Sequence, residues 1–419
     1  MEKRQNRIYL CLAHMSEAGL EQKYIKEAFD TNWVVPLGPN VNGFEKDLEE
    51  FCGQNKRVVA LSAGTAAVHL ALIACGVSPG DEVCVQSFTF CASSHPITYL
   101  GATPVFIDSE KDTWNMDPEL LEEAIKDRIA KTGKKPKAIV PVALYGMPYR
   151  IDRIMEIANK YDIPVVEDAA EGFGSRFNGQ VLGTFGKYGV LSFNGNKMIT
   201  TSGGGALITN SEDEWREIMM YATQYRESYP YYQHEKIGFN YRMSNICAGI
   251  GRGQMTVVND HIAHHKHVQK LYEELLKDVP GVHVHSQPAD GGYDSNYWLC
   301  TITIDEKVKV KGQENAYKQI VTGAVGGAAG VIHAAESATT DCQPNENVEA
   351  LRVGLDAMNI EARPVWKPMH KQPVYKDAPA YVNGVSESIF KVGMCLPAGP
   401  YVSDEDVHYI VEAIKSLIE

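Results

Sequence analysis

The sequence lacks the apolar runs and the cysteine spacing that mark membrane, disulfide-rich and zinc-binding proteins. No run approaches the roughly 20 apolar residues of a membrane helix, and the apolar stretch at residues 8–13 is too short for a secretory signal. The nine cysteines are scattered and contain no Cys-x-x-Cys pair, which argues against a disulfide framework or a zinc site. We therefore expect a cytoplasmic protein with no membrane association.

Basic residues are also in deficit. The chain has 53 acidic and 40 basic residues among 419, a net charge of −13, which disfavours general attraction to nucleic acid or anionic membranes. An anionic substrate must therefore be bound by local groups.

The remaining pattern is that of an α/β protein. Strand-like runs at residues 58–61, 82–86, 104–107, 138–143 and 163–168 alternate with helical segments, which predicts a mostly parallel central sheet covered by helices. The length favours two domains, and the long helical stretch after Ser244 leads into the second. We predict a large α/β domain over residues 1–250 and a smaller α+β domain over 251–419, with a flexible insertion near 312–345.

A carboxylate, an amine and a glycine cluster follow one another in the first domain. Asp168 ends a short apolar strand, Lys197 follows in the run Ser192-Phe-Asn-Gly-Asn-Lys197, and Gly203-Gly-Gly205 comes next. An aspartate can keep a pyridine ring protonated as an electron sink, while a lysine amine bonds an aldehyde. This order predicts a pyridoxal phosphate enzyme.

Ser62-Ala-Gly-Thr65 lies between a predicted strand and a predicted helix. The free N–H groups of a helix N-terminus bind phosphate, which favours Gly64 and Thr65 as ligands. The alternative is an ordinary Ser/Thr helix cap. A capping role for Asp168 with a solvated Glu171 is the corresponding alternative at the other motif.

Two further motifs receive structural interpretations. Gly183-Thr-Phe-Gly-Lys187 lacks the glycine spacing of a phosphate loop, and Tyr188 stands where Ser or Thr is needed. His261 and His265 are spaced to share a helix face as metal ligands, but no third ligand is evident. We therefore expect a solvated helix face and no metal.

Seven motifs carry a family resemblance. They are Pro36-Leu-Gly-Pro39, Ser62-Ala-Gly-Thr-Ala-Ala67, Ser87-Phe-Thr-Phe-Cys-Ala92, Glu167-Asp-Ala-Ala-Glu171, Ser192 to Lys197, Gly238-Phe-Asn-Tyr-Arg242 and Ala362-Arg-Pro-Val-Trp-Lys-Pro-Met-His370. From about Leu10 to the C-terminus, apart from the insertion, the chain resembles the DegT/StrS-type sugar-nucleotide aminotransferases. Members of this family are fold-type I pyridoxal phosphate enzymes.

The resemblance implies roles for the matching residues. Lys197 is the residue that bonds the cofactor and carries protons, and Asp168 is the partner of the pyridine nitrogen. The cofactor phosphate is held by Gly64, Thr65 and Ser192, together with Asn240 of a neighbouring subunit.

Four further residues receive less specific roles. Phe90 stacks on the cofactor ring, with plain core packing as the alternative. Glu171 lies near the phenolic oxygen of the ring, at a position where the family has Gln or His, so its contact is left open. Tyr145 and His370 either contact the sugar or are a packed aromatic residue and a loop histidine.

The resemblance implies a homodimer with shared active sites that transfers an amino group from glutamate to a keto-sugar nucleotide. The residues around Lys197 are most similar to those of enzymes of the bacillosamine and perosamine branches, which place the amine at C4 of a 6-deoxy sugar. Alternatives are a pyridoxal phosphate-dependent sugar dehydratase, a non-catalytic pyridoxal phosphate-binding regulator and an NAD-dependent oxidoreductase. The missing dinucleotide fingerprint disfavours the last of these.

Overall fold

Strands and helices alternate through the first half of the chain in the computed structural model, which describes residues 3–53, 55–318 and 339–419. The described residues contain twelve α-helices: α1 (Leu20–Asp30), α2 (Pro39–Cys52), α3 (Gly64–Ala74), α4 (His95–Tyr99), α5 (Pro118–Thr132), α6 (Ile151–Tyr161), α7 (Glu212–Ala222), α8 (Asn245–Met255), α9 (Val258–Leu276), α10 (Glu346–Ala357), α11 (Val385–Val392) and α12 (Asp404–Leu417).

Fifteen β-strands lie within the same described residues. They are β1 (Arg57–Leu61), β2 (Glu82–Gln86), β3 (Thr103–Ile107), β4 (Ala138–Val140), β5 (Val166–Asp168), β6 (Arg176–Phe177), β7 (Gln180–Val181), β8 (Tyr188–Ser192), β9 (Gly205–Thr209), β10 (Val282–Val284), β11 (Tyr293–Asp294), β12 (Cys300–Ile304), β13 (Arg363–Pro364), β14 (Ala380–Tyr381) and β15 (Gly393–Leu396).

Local sequence signals set several helix boundaries. Asp117 caps α5 by accepting hydrogen bonds from the backbone N–H groups of Glu119 and Leu120, and Pro118 occupies the first turn. Ser403 and Asp406 form a reciprocal capping box at the start of α12. These boundaries therefore follow from side chains that satisfy the free N–H groups of a helix start.

The central sheet has the strand order β1-β9-β8-β5-β4-β2-β3-β14. Its two halves are joined by parallel bridges from Ile139 to Val165 and from Val142 to Asp168. Strand β9 is antiparallel to both of its neighbours, whereas the other pairings are parallel. The predicted mostly parallel sheet is thus confirmed, and the carboxyl ends of β1, β5 and β8 lie at one edge.

The C-terminal part forms a second layer. Strands β10, β12, β15 and β13 make an antiparallel sheet, and its apolar core includes buried residues of α9, α10 and α12 together with Ile8. Strand β14 instead joins the central sheet. The predicted division at residue 250 falls inside α8, which packs on α1 and α2, and it stays a prediction.

Some sequence expectations differ from the structure. The Gly, Pro and Asn residues of segment 33–44 predict a loop, but α2 begins at Pro39, because Pro suits a first turn and Val41 and Phe44 turn into the core. The sequence also predicts a strand over residues 297–304, but the strand begins only at Cys300, since Tyr297 has a φ of 48°. Most of the expected insertion, residues 319–338, lies outside the described residues. In the described part of the chain, no helix is long and apolar enough to cross a membrane.

A buried ion pair connects α2 to β1. Glu45 accepts hydrogen bonds from the Ala60 N–H at 2.7 Å and from the Arg242 guanidinium, and Arg242 also donates to the Ala60 carbonyl at 3.0 Å. The two side chains are only 9% and 10% exposed. Burial raises the pKa of Glu45, while the charge of Arg242 and the hydrogen bonds from Arg242 and Ala60 act in the opposite direction.

Replacing Arg242 with Ala should lower the free energy of unfolding by about 3–5 kcal/mol, because it leaves a buried carboxylate without its cation. Urea denaturation followed by circular dichroism measures the change. Lys26→Ala is the control, since Lys26 and Asp30 form a pair that is 74% and 57% exposed and should cost less than about 1 kcal/mol. Similar losses for the two variants would contradict a stabilising role of the buried pair.

Candidate active site

A cavity of about 320 Å³ opens at the sheet edge where β1, β5 and β8 end. Seven residues predicted from the sequence line it: Gly64, Thr65, Phe90, Asp168, Glu171, Ser192 and Lys197. Ligand pockets span roughly 300–1,000 Å³, and crevices at strand ends are the usual ligand sites of such sheets. The structure therefore brings most of the predicted site residues together around one space.

Asp168 lies at the carboxyl end of β5 and is 5% exposed. Its Oδ2 accepts a hydrogen bond from the Ser93 hydroxyl at 2.6 Å, and its Oδ1 accepts from the Ala170 N–H at 3.1 Å. Burial raises the pKa of Asp168, while the Ser93 hydrogen bond and the charge of Lys197 act in the opposite direction. The carboxylate lines the cavity in a setting that favours a cationic N–H partner.

Lys197 lies in the connection between β8 and β9, and its side chain is 14% exposed. The Nζ atom is 3.6 Å from Glu171 Oε1 and 4.1 Å from the centre of the Trp298 ring. A carboxylate and an aromatic face both attract an ammonium group. The amine is therefore directed into the cavity rather than into bulk water.

Glu171, whose contact the sequence left open, faces Lys197. Its Oε2 accepts a hydrogen bond from the Tyr145 N–H at 2.7 Å. Burial raises the pKa of Glu171, and the positive charge of Lys197 opposes this shift. The expected alternative of a solvated glutamate is wrong, because the side chain is 5% exposed.

The start of α3 forms an anion cradle. Ala63 at the N-cap makes no side-chain hydrogen bond to the helix, so the Ser/Thr cap considered as the alternative is not present. A Cβ atom on Gly64 would lie 3.0 Å from the Ser192 Cβ atom, and one on Gly205 would lie 2.4 Å from the Gly64 backbone nitrogen. Glycine thus lets β8, β9 and the helix N-terminus approach closely, which suits a phosphate held by backbone N–H groups.

These groups fit pyridoxal phosphate. The cavity places a helix N-terminus with nearby hydroxyls, a buried carboxylate and a lysine amine on its wall. They match the three chemical demands of the cofactor, which are anion binding, a partner for the pyridine nitrogen and a primary amine.

Three predicted residues do not line this cavity. Tyr145 lines an adjoining cavity of about 390 Å³ that shares Asn194, Asn196, Trp298 and Trp366 with the first. Its hydroxyl accepts a hydrogen bond from the Trp366 N–H at 2.8 Å.

His370 and Asn240 lie elsewhere. The Nδ1 atom of His370 is 2.6 Å from the Ser87 hydroxyl, and burial lowers the pKa of this histidine. Asn240 is exposed, and its assignment to the site of a neighbouring subunit stays a prediction.

Sequence reasoning missed Ser93, Trp298 and Trp366, which hold Asp168 or form walls of the cavity. Ser93 directly follows the motif that ends at Ala92, and Trp366 lies inside the motif that ends at His370. Those two positions carried a signal. Trp298 carried no signal, because it lies in none of the seven motifs.

The structure shows the roles of the Gly183 to Lys187 motif and of the His261 and His265 pair. The N–H groups of Gly183, Phe185 and Gly186 bind the buried Glu167 carboxylate at 2.8–2.9 Å, so this loop encloses a protein side chain. The expected solvated histidine face is wrong for His261 and His265, which are 5% and 0% exposed, because α9 turns them inward. Among the described residues, no cluster of three or more potential ligands could hold a metal.

Ser93→Ala should weaken pyridoxal phosphate binding most strongly at low pH. The Ser93 hydrogen bond stabilises the ionised carboxylate, so its loss raises the pKa of Asp168 further and the acidic fall in affinity begins at higher pH. At the acidic end we expect up to roughly tenfold weaker binding, the effect of one pKa unit. Cofactor titrations of the cofactor-free protein across pH measure this.

The control for this test is Ser94→Ala, which removes a neighbouring buried hydroxyl that donates to the Cys91 carbonyl. This variant should bind the cofactor like the wild type. A pH profile of Ser93→Ala that coincides with the wild-type profile would contradict control of cofactor binding by the hydrogen bond from Ser93 to Asp168.

Comparison with known proteins agrees with this geometry. The model of the DegT/DnrJ/EryC1/StrS aminotransferase family matches residues 16–326 and 327–415. The chain is 41% identical over 415 residues to EpsN of Bacillus subtilis (strain 168), covering 98% of this chain and 96% of EpsN, whose assignment as a pyridoxal phosphate-dependent aminotransferase is provisional. It is 33% identical to the GDP-perosamine synthase of Escherichia coli O157:H7, over 97% of this chain and 98% of that protein.

A solved structure confirms the fold. The crystal structure of a DegT DnrJ EryC1 StrS aminotransferase from Brucella abortus superimposes with a TM-score of 0.80 at 28% identity, covering 95% of each chain. The chain therefore belongs to the DegT/DnrJ/EryC1/StrS aminotransferase family of pyridoxal phosphate-dependent enzymes.

Proposed function

We propose that this protein transfers an amino group from glutamate to a 4-keto-6-deoxy sugar carried on UDP or GDP. The product is a 4-amino sugar nucleotide for surface polysaccharide or glycan synthesis. The observation that carries the proposal is the convergence of Lys197, Asp168 and the glycine cradle on one cavity. The relatives named GDP-perosamine synthase support the sugar class.

The cofactor roles are assigned by position. Gly64, Thr65 and Ser192 hold the phosphate, and Asp168 pairs with the pyridine nitrogen. Phe90 borders the cavity and is 49% exposed, so its face is open for stacking on the ring. When bound, pyridoxal phosphate supplies an electron sink for the charge that develops at the donor α-carbon.

Lys197 performs the proton transfer. Its Nζ atom would hold the cofactor through the aldehyde carbon, and the same amine, once free, would move a proton at the donor α-carbon. Glu171 Oε1 lies 3.6 Å from this amine, close enough to direct it. The same groups serve both half-reactions, in opposite directions.

The sugar is assigned to the adjoining cavity. Tyr145, Trp298 and Trp366 form aromatic walls there, and aromatic faces pack well against the apolar faces of a sugar ring. Tyr145 has a φ of 53° although it is buried. Such left-handed backbone is found at functional sites more often than elsewhere. His370 is paired with the Ser87 hydroxyl and lines neither cavity.

A homodimer with shared sites is part of the proposal. Large apolar side chains are exposed in two segments: Trp33, Val34, Val35 and Leu37 in the first, and Tyr229, Tyr231, Tyr232 and Ile237 in the second. Exposed apolar groups of this number mark interaction surfaces. Asn240 follows the second segment, so an interface there would bring it to a neighbouring subunit. The cytoplasmic location stays a prediction from the cysteine pattern.

Lys197→Ala should lower amine transfer at least a thousandfold, because no other group then bonds the cofactor and moves the proton. The assay offers UDP-, GDP- and dTDP-linked 4-keto sugars with glutamate and detects products by mass. Lys187→Ala, at an exposed position before β8, should retain full activity. Full activity of Lys197→Ala would contradict the assignment, and a deoxygenated product of the wild type would identify a dehydratase instead.

Mixing two inactive variants tests the shared site. If Asn240 completes the site of the partner subunit, Lys197→Ala and Asn240→Asp homodimers are each impaired, but a mixed dimer holds one intact site. Random reassociation should then restore roughly a quarter of the wild-type sites. If Asn240 serves its own chain, no mixed dimer has an intact site and activity does not recover. Light scattering on the wild type measures the dimer itself.

A further inference from the structure

The peptide groups on both sides of Lys197 are held by side chains from outside its loop. The indole N–H of Trp298 donates to the Asn196 carbonyl at 2.7 Å. On the other side, Nδ1 of His261 lies 3.2 Å from the Met198 carbonyl. Within the turn itself, the Lys197 N–H donates to the Asn194 carbonyl at 3.0 Å. The position of the amine thus depends on distant parts of the chain.

Helix α9 supplies His261 directly and, through His265, contacts the backbone next to Trp298. His261 and His265 are four residues apart and share one face of the helix. The Nδ1 atom of His265 lies 3.1 Å from the carbonyl of Tyr297, the residue before Trp298, whose ring is 4.1 Å from the Lys197 amine. One histidine therefore holds the lysine segment, and the other holds the wall that faces the lysine.

The chemistry of these contacts fixes the state of both rings. A carbonyl oxygen only accepts hydrogen bonds, so Nδ1 carries the hydrogen in each histidine. Burial lowers the pKa of His261 and lowers that of His265 to about 3. Both rings are therefore neutral donors at physiological pH.

The same helix joins the two apolar cores. Val258 and Ile262 belong to the core beneath the active site, whereas Val268, Tyr272 and Leu276 belong to the C-terminal core. A helix anchored at both ends by buried side chains is a rigid support.

We propose that His261 and His265 are positioning residues that set the place of the Lys197 amine through the Met198 and Tyr297 carbonyls. The inference rests on the proposed role of Lys197 and extends it to the C-terminal half of the chain. Neither histidine lines the cavity, so both act through backbone rather than by touching the cofactor. Misplacement of a reacting group by about 1 Å can lower a rate roughly a hundredfold.

The test compares variants of His261 that remove or keep the donor. His261→Leu removes the N–H group, whereas His261→Asn places an amide N–H near the position of Nδ1. The cofactor-free proteins are mixed with pyridoxal phosphate, bonds to Lys197 are trapped with borohydride, and the rate of trapping is read by mass. Steady-state kcat and KM are measured in parallel. The pair His265→Leu and His265→Asn provides a second, independent series.

We expect His261→Leu to lower the trapping rate and kcat by about tenfold or more, with the KM for the amino donor within about twofold. His261→Asn should recover most of both rates. Val268→Ala is the matched control: it removes a fully buried side chain of the same helix in the C-terminal core, and it should lower the melting temperature while leaving trapping and kcat near wild type.

Three results would each overturn the proposal: normal trapping by folded His261→Leu, equal losses in Val268→Ala, or no recovery in the asparagine variants. If a leucine variant does not fold, the asparagine variants decide. A folded His261→Asn that traps the cofactor about tenfold more slowly than the wild type would contradict a donor role of His261. Wild-type protein that traps the cofactor on Lys197 but transfers no amine would refute the proposed function and leave the positioning role intact.

Discussion

The buried carboxylate of Asp168 is the group on which the rest of the site depends. A charge removed from water is costly unless it is paired and hydrogen-bonded, and here one hydroxyl and one backbone N–H provide the hydrogen bonds. The central sheet places this carboxylate at the same edge as the ends of β1 and β8. A ligand that offers a cationic N–H group to Asp168 therefore also meets the anion cradle and the amine.

The backbone around this carboxylate is shaped by close approaches. Ser192 pairs with Gly205 across β8 and β9, so the loop that carries Lys197 begins and ends at one point of the sheet. The same glycine lies against the Ala63–Gly64 peptide, where the phosphate cradle begins. The lysine loop and the cradle thus share a boundary, and a change in the packing of either one affects the other.

Much of this arrangement could be predicted because its signals are local. Apolar runs located the strands, and the chemistry of Asp168 and Lys197 indicated the cofactor before any family was considered. Trp298 could not be found this way, since it reaches the site through tertiary packing. His261 and His265 were misread for the same reason: a helix face with four histidines is polar in composition, and only the packing of α9 shows that two of them are buried.

The most direct test of the account is the site of covalent attachment of pyridoxal phosphate. Borohydride reduction of the wild-type protein with bound cofactor, followed by proteolysis and mass spectrometry, identifies the modified lysine. The account predicts that the pyridoxyl group is found on the peptide containing Lys197, at close to one per chain. A label on another lysine, or one spread over exposed lysines, would contradict it.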